Sequence, residues 1–221
     1  MPGTALVFGG APVVGTPRLT ARLAEWREAF VVAADAGAAT ALRLGFLPDV
    51  VVGDLDSIDT ASLRELRQRG VPVESYPTDK DATDGQLAVE RALATSPREL
   101  LLVGFLGGPR LDQELANVLL LTRLPTPGVL VDGSNECRLL RSGETWAWLA
   151  EPREVVSLLP LAGDAGGVRT HGLRWRLDGD TLHGGETRGV SNEPIQQHVS
   201  VGLDSGCLLV TRHFPDRNPL L

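Results

Sequence analysis

One lysine, one methionine, one tyrosine and two cysteines are all that the 221 residues hold of those types. The cysteines, Cys137 and Cys207, are too few for a disulfide framework and match no zinc spacing, so both read as small buried apolar residues. No apolar run approaches the ~20 residues that a membrane-spanning helix needs. The opening Met1-Pro2-Gly3-Thr4 places no basic segment ahead of its short apolar run, so no secretory leader is expected and the protein reads as cytoplasmic. A basic excess is missing as well. The net charge of −7 argues against a nucleic-acid or anionic-membrane partner. No GxxxxGK[ST] occurs, which excludes a P-loop. His171, His183, His198 and His213 show no ligand or triad spacing, and Ser57 has no partnering histidine to make it a nucleophile.

What is present is ordinary globular material, 43% hydrophobic and 22% charged, long enough for one large domain or two small ones. Short apolar runs alternate with helical patterns up to about Asp132. Thr16 reads as an N-cap with Pro17 behind it, followed by Leu19, Leu23, Trp26 and Phe30 at helical spacing. Asp59 and Thr83 read as further caps, the latter opening a capping box with Gln86. The alternation predicts a parallel sheet covered on both faces, with ligands outside the carboxyl ends of its strands. Beyond Asp132 only short alternating runs remain, among them Val168–Leu177, separated by Gly, Asp and Asn turns. They predict a small antiparallel sandwich. The expected fold is therefore an α/β domain over 1–133 and a β-sandwich over 134–221.

Two acidic stretches, Val51-Val52-Gly53-Asp54-Leu55-Asp56-Ser57 and Thr78-Asp79-Lys80-Asp81-Ala82-Thr83-Asp84, each follow an apolar run and lead into a helical pattern. Carboxylates this dense repel one another unless a cation holds them. Along an extended segment Asp54 and Asp56 share a side, and Asp81 and Asp84 can meet them. Magnesium prefers oxygen donors, taking one or two carboxylates plus water and substrate phosphates, so a metal–nucleotide site is expected. Lys80 either neutralises a phosphate or pairs with Asp79 or Asp81. Gly107, Gly108 and Arg110, ahead of a helix start, form a candidate phosphate loop.

At this point the chain resembles the thiamine pyrophosphokinase family. The residues that carry the likeness are Ala34-Asp35-Ala36-Gly37-Ala38, Pro48-Asp49 through Ser57, and Asp79 through Asp84. Three more stretches follow in order: Gly107-Gly108-Pro109-Arg110-Leu111-Asp112-Gln113 with Leu115-Ala116-Asn117, then Ser157 to Leu161, then Gly172-Leu173-Arg174-Trp175 with Ser191-Asn192. The resemblance implies an N-terminal α/β domain, a C-terminal β-sandwich and a homodimer. It implies magnesium-dependent transfer of pyrophosphate from ATP to thiamine, releasing AMP. It gives Asp54, Asp56 and Asp84 to the metal and the reaction centre, with Asp81 among the candidates for the base. Asp35, Lys80, Thr83, Gly107, Gly108, Arg110, Asp112 and Gln113 go to the nucleotide, and Trp175, Ser191 and Asn192 to thiamine. The chain departs from the family pattern where Ala39 replaces an asparagine, Pro109 is inserted before Arg110, and Gly189 replaces a serine. Two other readings stand beside this one: another hydroxyl acceptor such as a pterin alcohol, and a non-catalytic nucleotide-binding homologue.

Overall fold

Apolar runs of four or five residues, bounded by glycine, aspartate or proline, become the strands of the first unit. A computed structural model describes residues 3–54, 58–77, 79 and 81–215. Its elements alternate as expected: β1 (Ala5–Phe8), α1 (Pro17–Ala24), β2 (Phe30–Ala34), α2 (Gly37–Arg43), β3 (Val50–Gly53), α3 (Thr60–Gln68), β4 (Val73–Ser75), α4 (Asp84–Leu93), β5 (Leu100–Val103), α5 (Leu111–Leu120) and β6 (Gly128–Val131). The strands lie in the order β4-β3-β2-β1-β5-β6, and all their pairings are parallel. Because successive side chains point to opposite faces, one face carries Leu6, Phe8, Val31, Ala33, Val51 and Leu101. These pack with Leu19 and Leu23 of α1, Ala38 and Ala41 of α2, and Leu66 of α3.

Three helices begin where the sequence places a side-chain acceptor. Thr16 Oγ1 accepts from Leu19 N at 3.2 Å, Asp59 Oδ1 from Ser62 N at 2.9 Å, and Thr83 Oγ1 from Gln86 N at 3.2 Å. The capping box is half made, because the Gln86 side chain donates to Glu90 at 2.8 Å instead of reaching back. Asp112, which by its place ahead of Leu115, Val118 and Leu119 reads as the cap of the fifth helix, does not cap it. Arg110 stands at the N-cap with no side-chain capping bond, and Asp112 lies inside the first turn with its carboxylate turned to Arg110. From β1 the chain steps through β2 and β3 to the edge strand β4, then α4 carries it back to β5 on the other side of β1. The strand order therefore reverses between β1 and β5. In doubly wound sheets that is where strand-end loops diverge and a crevice opens.

The chain divides at the Gly133–Ser134 peptide. The second unit holds β7 (Asn135–Arg141), β8 (Thr145–Leu149), β9 (Val155–Pro160), β10 (Ala165–His171), β11 (Asp178–Leu182), β12 (His198–Gly202) and β13 (Cys207–His213). Strand β13 pairs antiparallel with β7 and β9, and the order β11-β10-β12-β8 forms a second antiparallel sheet. Leu140, Val156, Leu208 and Val210 from the first layer pack against Val168, Val199 and Val201 from the second, the expected sandwich core. Among the described residues, no helix is long and apolar enough to cross a membrane.

Candidate active site

Three carboxylates meet at the strand ends of the first unit. Asp35 follows β2, Asp54 follows β3, and Asp84 opens α4, and one oxygen of each lies within 4.8 Å of the others. Asp35 is buried, whereas Asp54 and Asp84 are half-buried. Its backbone adopts φ +44°, a left-handed conformation that aspartate tolerates better than most residues. Hydrogen bonds hold it there: its N–H donates to Val52 O at 2.9 Å, and its carbonyl accepts from Ala38 N at 3.0 Å. Gly53 makes room for the group. At φ +147° a Cβ on this residue would stand 3.1 Å from Asp35 Cβ and 3.3 Å from Asp84 Oδ1. Ionised carboxylates at this separation repel by on the order of 3 kcal/mol per pair at an effective dielectric of 20, so the cluster favours a bound cation.

Beside the cluster a cavity of about 600 Å³ opens at the β1–β5 switch point. Its wall includes Gly9, Asp35, Thr83, Asp84, Gly107, Gly108, Arg110 and Gln113. Its two loops are tied together, Ala11 N donating to Gly104 O at 2.9 Å. Asn117 Nδ2 donates to Phe105 O at 2.9 Å and anchors the 104–110 loop to α5. Arg110 reaches this wall despite the inserted Pro109, which lines it too. Its guanidinium forms a two-pronged pair with Asp112, Nε donating to Oδ1 at 3.0 Å and Nη2 to Oδ2. That hydrogen-bonded contact raises the pKa of Arg110 and lowers that of Asp112 from their ordinary values.

Among the described residues the cluster holds Asp54 and Asp84 of the set read from sequence and adds Asp35. Asp35, expected on the nucleotide, stands inside the cluster. Asp56 and Lys80 lie outside the described residues. Asp81 is exposed and is not one of the three. Thr83 lines the cavity, but its hydroxyl is engaged in capping α4. Glu114 also lines the wall, its Oε1 accepting from Gly107 N at 3.1 Å, a contact that no sequence pattern signalled.

In the second unit the expected Val168–Leu177 strand stops at His171. Gly172 turns the chain at φ +74°, where an added Cβ would meet His198 O at 2.2 Å. Trp175 thus sits in a loop and not on a strand, and the residue is 56% exposed. Asn192, 7% exposed, fixes that loop: its Nδ2 donates to Trp175 O at 2.8 Å, and its Oδ1 accepts from Trp175 N at 3.1 Å and Glu193 N at 2.9 Å. Its amide is therefore spent on backbone. Ser191 is exposed at φ +64°, its N–H donating to Ser157 Oγ at 3.0 Å.

Fold and site define a doubly wound α/β domain with a carboxylate cluster and a glycine loop at its switch point, followed by an antiparallel β-sandwich. Residues 22–130 match the family profile described as thiamin pyrophosphokinase, catalytic domain, and residues 149–208 match thiamin pyrophosphokinase, vitamin B1 binding domain. The chain belongs to the thiamine pyrophosphokinase family, a family of enzymes. It is 27% identical over 209 residues to thiamine pyrophosphokinase of Bacillus subtilis, covering 93% of this chain and 96% of that protein. Thiamin pyrophosphokinase of Geobacillus thermodenitrificans superposes with TM-score 0.83 at 27% identity, covering 98% of this chain and 100% of that one. The crystal structure of the Bacillus subtilis enzyme gives TM-score 0.85 at 24% identity over 96% of this chain and 100% of that one, a likeness in fold.

Proposed function

We propose that this enzyme transfers pyrophosphate from ATP to the hydroxyl of thiamine, with magnesium held by Asp35, Asp54 and Asp84. The observation that carries the reading is the meeting of three carboxylates from three separate elements beside a 600 Å³ cavity with a glycine loop in its wall. All three donors are hard oxygens, which suits a magnesium ion that keeps water and phosphate in its remaining positions. Bound there, the ion would neutralise charge on the phosphate oxygens.

The chain's own groups do the rest. Amides of the 104–110 loop bind phosphate oxygens, and Arg110 exchanges Asp112 for phosphate. The thiamine oxygen bonds to the β-phosphorus, the bond to the α-phosphate oxygen breaks, and AMP leaves. An aspartate at the strand ends takes the alcohol proton. Little covalent work falls to the protein, so positioning and charge neutralisation carry the rate. Trp175 offers an exposed ring for a planar cationic substrate to stack on. A homodimer accords with this reading. Leu111, Leu115 and Leu119 form an exposed stripe on α5, a helix with no buried residue.

Incubation with ATP, magnesium and thiamine is expected to release AMP in step with thiamine diphosphate. Release of ADP, or AMP formation indifferent to thiamine, would overturn the reading. Asn192 tests the second unit, because its buried amide contacts backbone alone, that of Trp175 and of Glu193. Asn192→Ala should raise KM for thiamine roughly tenfold or more while leaving KM for ATP in place, as expected when a binding group is misplaced. Equal KM values for thiamine in the two proteins would remove Trp175 from the site.

A further inference from the structure

The loop read as a phosphate cradle already carries an anion of the chain's own. Glu114 sits one turn into α5, and its Oε1 accepts from the backbone N–H of Gly107 at 3.1 Å. Gly107 and Glu114 both face the cavity at the β1–β5 switch point. The second phosphate donor in this wall, the Arg110 guanidinium, is engaged in the same manner by Asp112. The Gly107 N–H and the Arg110 guanidinium thus each meet a carboxylate supplied by the first turn of α5.

A carboxylate on a backbone N–H is a charge-assisted bond, the same kind that a phosphate oxygen would make there. We propose that Glu114 is a specificity residue that competes with phosphate groups for the Gly107 N–H. A single phosphate dianion entering this wall must displace one carboxylate and then sit beside it, and the like charges oppose it. A magnesium-bound triphosphate brings its own positive charge and several further contacts, so it gains more than the displaced bond loses. The device selects a metal-bound polyphosphate over free inorganic phosphate. It rests on the nucleotide reading of the cavity and adds to it the group that rejects the smaller anion.

Calorimetric titration of wild type, Glu114→Gln and Glu114→Ala with magnesium-ATP and with inorganic phosphate tests this. Glutamine keeps an acceptor for the Gly107 N–H without the charge, and alanine removes both. Both variants are expected to bind inorganic phosphate more tightly, by roughly twofold to fivefold, the range of an exposed charge interaction, and magnesium-ATP by less, so that the preference for the polyphosphate narrows; equal gains for the two ligands would overturn the selective role. The gain should fade in about 1 M salt, where screening acts over roughly 3 Å. Unchanged binding in Glu114→Gln with weaker binding in Glu114→Ala would make Glu114 a mere anchor of the loop and overturn the proposal. Weaker binding in both variants would overturn it too, placing the carboxylate on the ligand. If wild type binds no magnesium-ATP in the same titration, the nucleotide reading falls, and this proposal with it.

Discussion

Asp84→Asn is expected to lower the rate of AMP release by about 10³-fold or more while leaving a folded protein. The size follows from what the residue does in the proposed reaction: removing a single preorganised charge-stabilising group costs about 10²–10³ in rate, and loss of a metal donor adds to that. Asparagine keeps the volume and can still accept a hydrogen bond, so α4, which begins at Asp84 under the Thr83 cap, should form as before. The sign of the stability change is the stricter test. Three carboxylates held within 4.8 Å repel, and neutralising one relieves two of the three contacts. Without magnesium the variant should unfold at a higher temperature than wild type. With magnesium and nucleotide the order should reverse, because only wild type gains the linkage stabilisation. Asp35→Asn should behave alike, since asparagine tolerates the φ of +44° at that position. AMP release and thermal unfolding, each with and without magnesium, measure both effects. A variant that loses activity and also unfolds earlier in the absence of metal would show a structural role for the cluster instead.

Much of this site was readable as pattern. The apolar runs that became β1, β2, β3, β5 and β6, and the caps at Thr16, Asp59 and Thr83, depend on neighbours within a few residues, which a sequence displays directly. The gathering of Asp54 and Asp84 followed from their places after strands of one parallel sheet. The resemblance gives Asp35 to the nucleotide; its membership of the cluster depends on the left-handed turn at that residue and on the bare backbone of Gly53 between it and Asp84. Neither is a local preference. Val168 to Leu177 alternates well and so reads as one strand that includes Trp175. What ends that strand is the approach of His198 O to Gly172, from a residue 26 positions away. The resemblance gives Asn192 to thiamine, and an asparagine 17 positions from Trp175 carries no mark in the sequence that its amide is buried against backbone.

Arg212 is the sharpest case of that blindness, and it carries the second large expected effect. In sequence it is one more arginine near the end of an apolar strand. In the sandwich it is 7% exposed, with Nε donating to Glu154 Oε1 at 2.7 Å, Nη2 to Glu154 Oε2 at 3.1 Å and Nη1 to Glu136 Oε2 at 3.3 Å. Trp148 Nε1 donates to the same Glu154 oxygen at 2.8 Å, and the guanidinium lies 5.0 Å from the ring centres of Trp148 and Phe214. Replacing such a pair by apolar groups is often harmless, but removing one partner alone leaves a buried charge uncompensated, at about 3–5 kcal/mol. Arg212→Met should therefore lower the unfolding midpoint by roughly 6–20 °C, taking 2–4 °C per kcal/mol for a protein of this size. Glu154→Gln in the same chain should restore part of the loss, because one of the two stranded carboxylates is gone. The double variant is then more stable than the sum of the single losses predicts. Additive losses would mean that Arg212 stabilises chiefly through its stacking on the aromatic rings, and the ion pair would be a bystander.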